Sequence, residues 1–198
     1  MIHRISERIV AFLDQRGALK YSSKEVYIYG FDIAIYTYLS TIGLFLVGWA
    51  GEYPLESILL IALYYTNQSL GGGYHASTHM RCFLTMLLGM LIFLIYMSLP
   101  YSYAFQACVA VSSLLILWKF PLVLHPNKKH LHKKAAEFTK RSLLFVLIQL
   151  SVFFIFSFLC CHQSIIQTFS ISFTLSAFSR IIAWIQYKHT SLYNSKTM

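Results

Sequence analysis

Long apolar runs return along the whole chain, from "IAIYTYLSTIGLFLVGWA" at 33–50 to "SLLFVLIQLSVFFIFSFLCC" at 142–161. This pattern limits the fold more than any other feature. A helix of about 20 residues, rising 1.5 Å each, crosses the ~30 Å hydrocarbon core of a bilayer. Of the 198 residues 57% are hydrophobic and 12% charged, where a soluble domain carries about 25% charge. The expectation is an all-α integral membrane protein forming one membrane domain over residues 1–198.

Six spans are expected, at 28–49, 54–70, 83–99, 103–124, 142–161 and 165–187. The second is the weakest, since "PLESILLIALYYTNQSL" has a short apolar centre. The brief connections at 100–102 and 162–164 make spans three and four, and five and six, antiparallel neighbours. Residues 1–25 interleave Ile2, Ile5, Ile9, Phe12 and Leu13 with Arg4, Glu7, Arg8 and Arg16. They have no continuous apolar core of the kind a cleaved signal needs. They read equally well as an amphipathic helix lying in the membrane interface or as a helix packed on the rest of the protein.

The 16 lysines and arginines set the orientation. From the N-terminus to the C-terminus the seven polar segments hold five, zero, one, zero, seven, zero and three of them. Every second connection is empty, as the positive-inside rule requires of six spans with both termini cytoplasmic. Residues 71–82 and the basic loop 125–141 then face the cytoplasm. That loop, with Lys128, Lys129, Lys133 and Lys134, is a topology determinant able to touch anionic lipid. It equally suits an acidic peptide as a dock.

Within the spans, Asp32 and Arg180 would be costly against lipid. They are expected to face the bundle interior, paired with each other or with Asp32 orienting a histidine. Arg180, close to the end of its span, is expected instead to snorkel to the cytoplasmic interface. Cys108, Cys160 and Cys161 read as small buried hydrophobes, and Glu137 as the partner of a lysine.

Chemistry concentrates in "GGGYHASTHMRC", residues 71–82. Cys82 is the one cysteine in polar company. A thiol has an ordinary pKa of about 8.5 and becomes a competent nucleophile when an imidazole takes its proton. His75 and His79 are the candidate bases. On an unbroken helix His75 and Cys82 would lie about 10.5 Å apart along the axis, too far for contact. A dyad between them therefore needs a bend, which Gly71, Gly72 and Gly73 permit. Ser77 or Thr78 would cap a helix that places Cys82 in its first turns, with Arg81 as a fixed cation nearby. Two rivals remain open. His75, His79 and Cys82 at i, i+4 and i+7 suit a metal, with His125, His130 and His132 as further ligands, and would then belong to a non-enzymatic transporter or metal-binding protein. The other rival is a plain wet turn.

This stretch resembles the glycine-glycine-x-histidine-alanine…cysteine motif of the accessory gene regulator protein B (AgrB) family, membrane peptidases that process quorum-sensing propeptides. His75, Ala76 and Cys82 fall at the family's spacing. Chain length, six spans, the basic amphipathic N-terminus and "HPNKK" at 125–129 extend the likeness. Two departures stand out. Asn67 and Gln68 occur where many members have an arginine before the glycines, and Lys129 replaces a proline often found there. The resemblance implies a cysteine endopeptidase with Cys82 as nucleophile and His75 as base, acting through an acyl-enzyme thioester that cyclises to a thiolactone or lactone. It further implies a propeptide whose acidic tail docks on Lys128, Lys129, Lys133 and Lys134. Backbone N–H groups near Cys82, Ser77 and Arg81 are the candidate oxyanion or substrate contacts. A homodimer is implied, and neither a metal, another cofactor nor a nucleic acid is.

Overall fold

The computed structural model describes residues 2–19, 23–74, 76, 78–123, 134–159 and 162–196, with side chains described as far as 187. Among the described residues seven helices run α1 Ile2–Gln15, α2 Lys24–Ala50, α3 Pro54–Gly71, α4 His79–Met97, α5 Tyr103–Lys119, α6 Ala135–Phe158 and α7 Gln163–Lys196. No strand occurs among the described residues; one isolated parallel bridge joins Gly72 to Val123. A helix therefore lies at each of the six expected spans. Four are long and apolar enough to cross a membrane: α2, α4, α6, and α7 as far as Tyr187. The 18-residue α3, which carries Glu56, Asn67 and Gln68, and the 17-residue α5 fall outside that set.

Two compact units are present, Met1–Val47 and Gly48–Met198. In the first, α1 is shorter than the expected 1–25. It buries Ser6 and Val10 while Ile5 and Phe12 stay exposed. Its tie to α2 is polar: His3 Nδ1 lies 2.7 Å from Asp32 Oδ2, and Lys24 pairs with Asp14. The hydrogen bond to Asp32 raises the His3 pKa above its ordinary 6.5. Asp32 thus orients a histidine, His3.

The second unit is built around α7. Two-thirds (67%) of its most apolar stretch is buried, against 22% for α4 and α6. Between lipid-facing helices there is little hydrophobic drive to associate, so small side chains and hydrogen bonds must draw the backbones together. In α7 the buried Ser170, Ser172, Ser176, Ala177, Ser179 and Ala183 supply that close face. Ala110, Ser113 and Leu117 of α5 pack on it, with Ser113 Oγ 3.1 Å from Thr174 Oγ1. Phe153 of α6 meets Phe173 edge-on at 6.3 Å. The close backbone packing of α4 and α5 is with α7, and they touch each other at their turn, where the Tyr96 hydroxyl donates to Gln106 Oε1.

Three sequence expectations are corrected. Helix α6 starts at Ala135, inside the stretch read as a loop, and Glu137 and Arg141 pair at i,i+4 on its first turns. Cys108 lies exposed on the outer face of α5 instead of in its core. Arg180 does not snorkel. It is 1% exposed, inside the bundle. Cys160 and Cys161 lie outside the described residues.

Candidate functional site

The 71–82 stretch begins where α3 stops. Gly72 takes φ 69° and ψ −174°, a conformation that favours glycine. Its N–H still donates to the Gln68 carbonyl at 3.0 Å, closing the last helical turn. From there the chain runs beside the segment that follows α5. Val123 N–H donates to the Gly71 carbonyl at 2.8 Å, forming the parallel bridge.

Each glycine of the triplet answers to a different neighbour. A Cβ on Gly71 would meet the guanidinium of Arg180, one on Gly72 the carbonyl oxygen of Val123, and one on Gly73 the side-chain amide of Gln68. The triplet is thus a demand of close packing from three sides, more than a source of flexibility.

A hydrogen-bonded cluster holds the segment from α3 and α7. Gln68 Nε2 donates to the Tyr64 hydroxyl at 2.8 Å and to Ser179 Oγ. Ser179 Oγ also accepts the backbone N–H of Tyr74 at 3.0 Å. This contact fixes the backbone at Tyr74, the residue before the expected base in sequence.

The helix holding Cys82 starts sharply. Thr78, extended at φ −135° and ψ 151°, is the N-cap, and its Oγ1 accepts from Arg81 N–H at 3.3 Å. Cys82 N–H makes the first full helical bond, to the Thr78 carbonyl at 3.0 Å. Cys82 consequently sits in the first turn of α4, half-buried and free of any disulfide. Unsatisfied N–H groups there give a helix start its partial positive charge. Across the gap to α3, one turn further along α4, the Tyr65 hydroxyl reaches Met86 Sδ at 3.7 Å.

The described residues before Cys82 do not form one unbroken helix. Residues 72–74, 76 and 78 are not helical, and α4 begins at His79. Of the two offered caps, Thr78 does the work. His79 and Arg81 are exposed on the first turn of α4, and Lys134 is exposed at the start of α6. His75, Ser77, Lys128, Lys129 and Lys133 lie outside the described residues, as do His125, His130 and His132. Among the described residues, no three His, Cys, Asp or Glu side chains gather as a metal set would require.

Sequence reasoning missed the residues behind the loop: Tyr64, Gln68, Ser179 and Arg180. Arg180 Nη1 donates to the carbonyls of Phe120 and Pro121, both at 3.0 Å; Nη2 donates to Asn67 O at 3.4 Å and Ser142 Oγ at 3.2 Å. Its Nε has no hydrogen-bond partner. The available signal was the run "SISFTLSAFSR" at 170–180, where serines at helical spacing lead up to the arginine and mark a polar, inward face.

Fold and site together define a helical, multi-pass membrane protein with a single cysteine at a capped helix start beside a clamped glycine turn. The chain belongs to the accessory gene regulator B (AgrB) family, matching it over residues 6–184. That family is involved in processing quorum-sensing propeptides. No curated protein and no solved structure matches the chain.

Proposed function

We propose that this protein is a cysteine endopeptidase acting on a small propeptide, with Cys82 as nucleophile and His75 as general base. The observation that carries it is the placement of Cys82. A half-buried thiol stands in the first turn of α4, directly after a non-helical segment whose backbone is pinned through Tyr74 to Ser179.

The chemistry balances with two groups. His75 accepts the Cys82 proton and the thiolate adds to the scissile carbonyl. Backbone N–H groups at the α4 start are suited to the developing oxyanion. Collapse expels the tail as an amine that takes the proton back from His75, leaving a thioester on Cys82. A thiol or hydroxyl within the retained peptide then attacks that thioester. Its proton passes to the departing Cys82 sulfur, and a thiolactone or lactone ring closes. The exchange conserves acyl reactivity, so cyclisation needs no separate activation.

The cytoplasmic face is the working side in this proposal, on the strength of the lysine and arginine distribution. An amphipathic propeptide would lie in the same interface as α1, whose exposed Ile5 and Phe12 suit contact with lipid. Lys128, Lys129, Lys133 and Lys134 would receive the acidic tail, and Arg81 and Ser77 would line its path. A homodimer accords with the family resemblance.

Cleavage of a synthetic propeptide, with amphipathic head, internal cysteine and acidic tail, by protein in vesicles tests the assignment. Cys82→Ala and His75→Ala should each abolish it while Cys108→Ala leaves it intact. A Cys82→Ala protein that still cleaves refutes the proposal. Loss of activity to a chelator but not to a thiol reagent would instead favour a metal on His75, His79 and Cys82.

A further inference from the structure

A buried arginine with no carboxylate beside it among the described residues needs an explanation. Arg180 makes four hydrogen bonds, all to neutral acceptors, and leaving a cation inside a membrane bundle is expensive. The acceptors supply the compensation. Asn67 O belongs to the last turns of α3, and the Phe120 and Pro121 carbonyls close the end of α5. A helix C-terminus carries about half a negative charge, and here two such ends converge on one guanidinium. Arg180 thereby holds them together.

From those two ends the chain departs as a pair of non-helical segments, one running from Gly72 to Tyr74 and the other from Phe120 to Val123. They are bridged at Gly72 and Val123. Gly71 lies so close to the guanidinium that it has no room for a Cβ, and Ser179, the residue before Arg180, grips the Tyr74 N–H.

We propose that Arg180 is a positioning residue for the peptidase reaction, which by joining the C-terminal ends of α3 and α5 fixes the Gly72–Tyr74 backbone that leads to the proposed base, His75. This rests on the Cys82–His75 assignment. It goes further by naming the buried group that keeps the pair in register, although Arg180 touches neither substrate nor sulfur.

The probe is iodoacetamide, with alkylation of Cys82 in the full-length protein followed by peptide mass spectrometry across pH. Tyr64 and Tyr65 near the end of α3 and His79 and Arg81 on the first turn of α4 are the titratable groups of those helices nearest the thiol in the described residues. A thiolate–imidazolium pair gives an alkylation limb well below the ordinary thiol value of about 8.5. Arg180→Lys keeps a cation but loses the fork that spans the carbonyls. It should remove that limb and slow Cys82 alkylation at neutral pH by about tenfold or more, while Cys108 alkylation and helical content stay unchanged. Gly71→Ala, which pushes on the guanidinium from the other side, should give the same profile, and the double variant should be no worse than either alone. Gly71→Ala also supplies the answer if Arg180→Lys fails to fold. An unchanged profile in the folded variant overturns the role of Arg180, provided His75→Ala does move it. A His75→Ala profile identical to the parent overturns the dyad, and the positioning role with it.

Discussion

The two ends of α7 hold polar clusters of opposite character. At the N-terminal end the contacts are neutral and ordinary. Tyr96 bonds Gln106, Gln167 Nε2 reaches the Leu99 carbonyl at 3.4 Å, and Ser170 Oγ reaches the Gln106 carbonyl at 3.4 Å. They staple the short α4–α5 turn to the hub helix. At the other end lie a buried cation, three glycines each pressed by a neighbour, and atoms left without partners, including Arg180 Nε, Gln68 Oε1 and Ser176 Oγ. Stability alone would not select the second arrangement, since an unsatisfied buried group costs about 1–3 kcal/mol. Under the proposed function, the difference is what a part of the bundle arranged for chemistry would show.

Substitutions at the two ends should separate activity from stability. Gly72→Ala should have the largest effect, because it adds a side chain at φ 69° and against the Val123 carbonyl. Propeptide cleavage is expected to fall about a hundredfold or more, the scale of a misplacement of ~1 Å. An unchanged cleavage rate would remove the clamp from the account. Tyr96→Phe at the far end should lower stability by about 1 kcal/mol, seen in a thermal melt, and leave cleavage per folded molecule alone. If it lowered cleavage as strongly as Gly72→Ala, the contrast between the ends would fail.

The smallest effect belongs to α1. The His3 pKa is raised by its bond to Asp32, so its contribution is complete below the ordinary value of about 6.5 and is lost as pH rises through the raised value. Hydrogen exchange of the α1 amides should therefore quicken on going from about pH 5.5 to about pH 8.5 beyond the intrinsic rate. His3→Gln should flatten that difference, and a His3→Gln protein that keeps it would break the link.

Much of this was legible in the chain. Apolar runs placed a helix at each of six positions, the cap residue Thr78 and the glycines foretold the break before α4, and the motif located Cys82. Illegible were the roles that arise only when helices meet. The glycine triplet read as freedom to bend, and turned out to be a surface approached by Arg180, Val123 and Gln68. Arg180 read as a snorkelling cation because its position near a span end was visible and its acceptors on α3, α5 and α6 were not. Cys108 read as buried because apolarity in a membrane helix does not say which face turns outward.

The most direct measurement is capture of the acyl-enzyme. The intact protein in vesicles is mixed with the synthetic propeptide, quenched in acid, and its mass determined before and after hydroxylamine. The account predicts a hydroxylamine-labile adduct equal to the propeptide without its tail, mapped to Cys82 and absent in Cys82→Ala and His75→Ala. Tail release with no adduct in either variant, or an adduct mapped to Cys108, would contradict it.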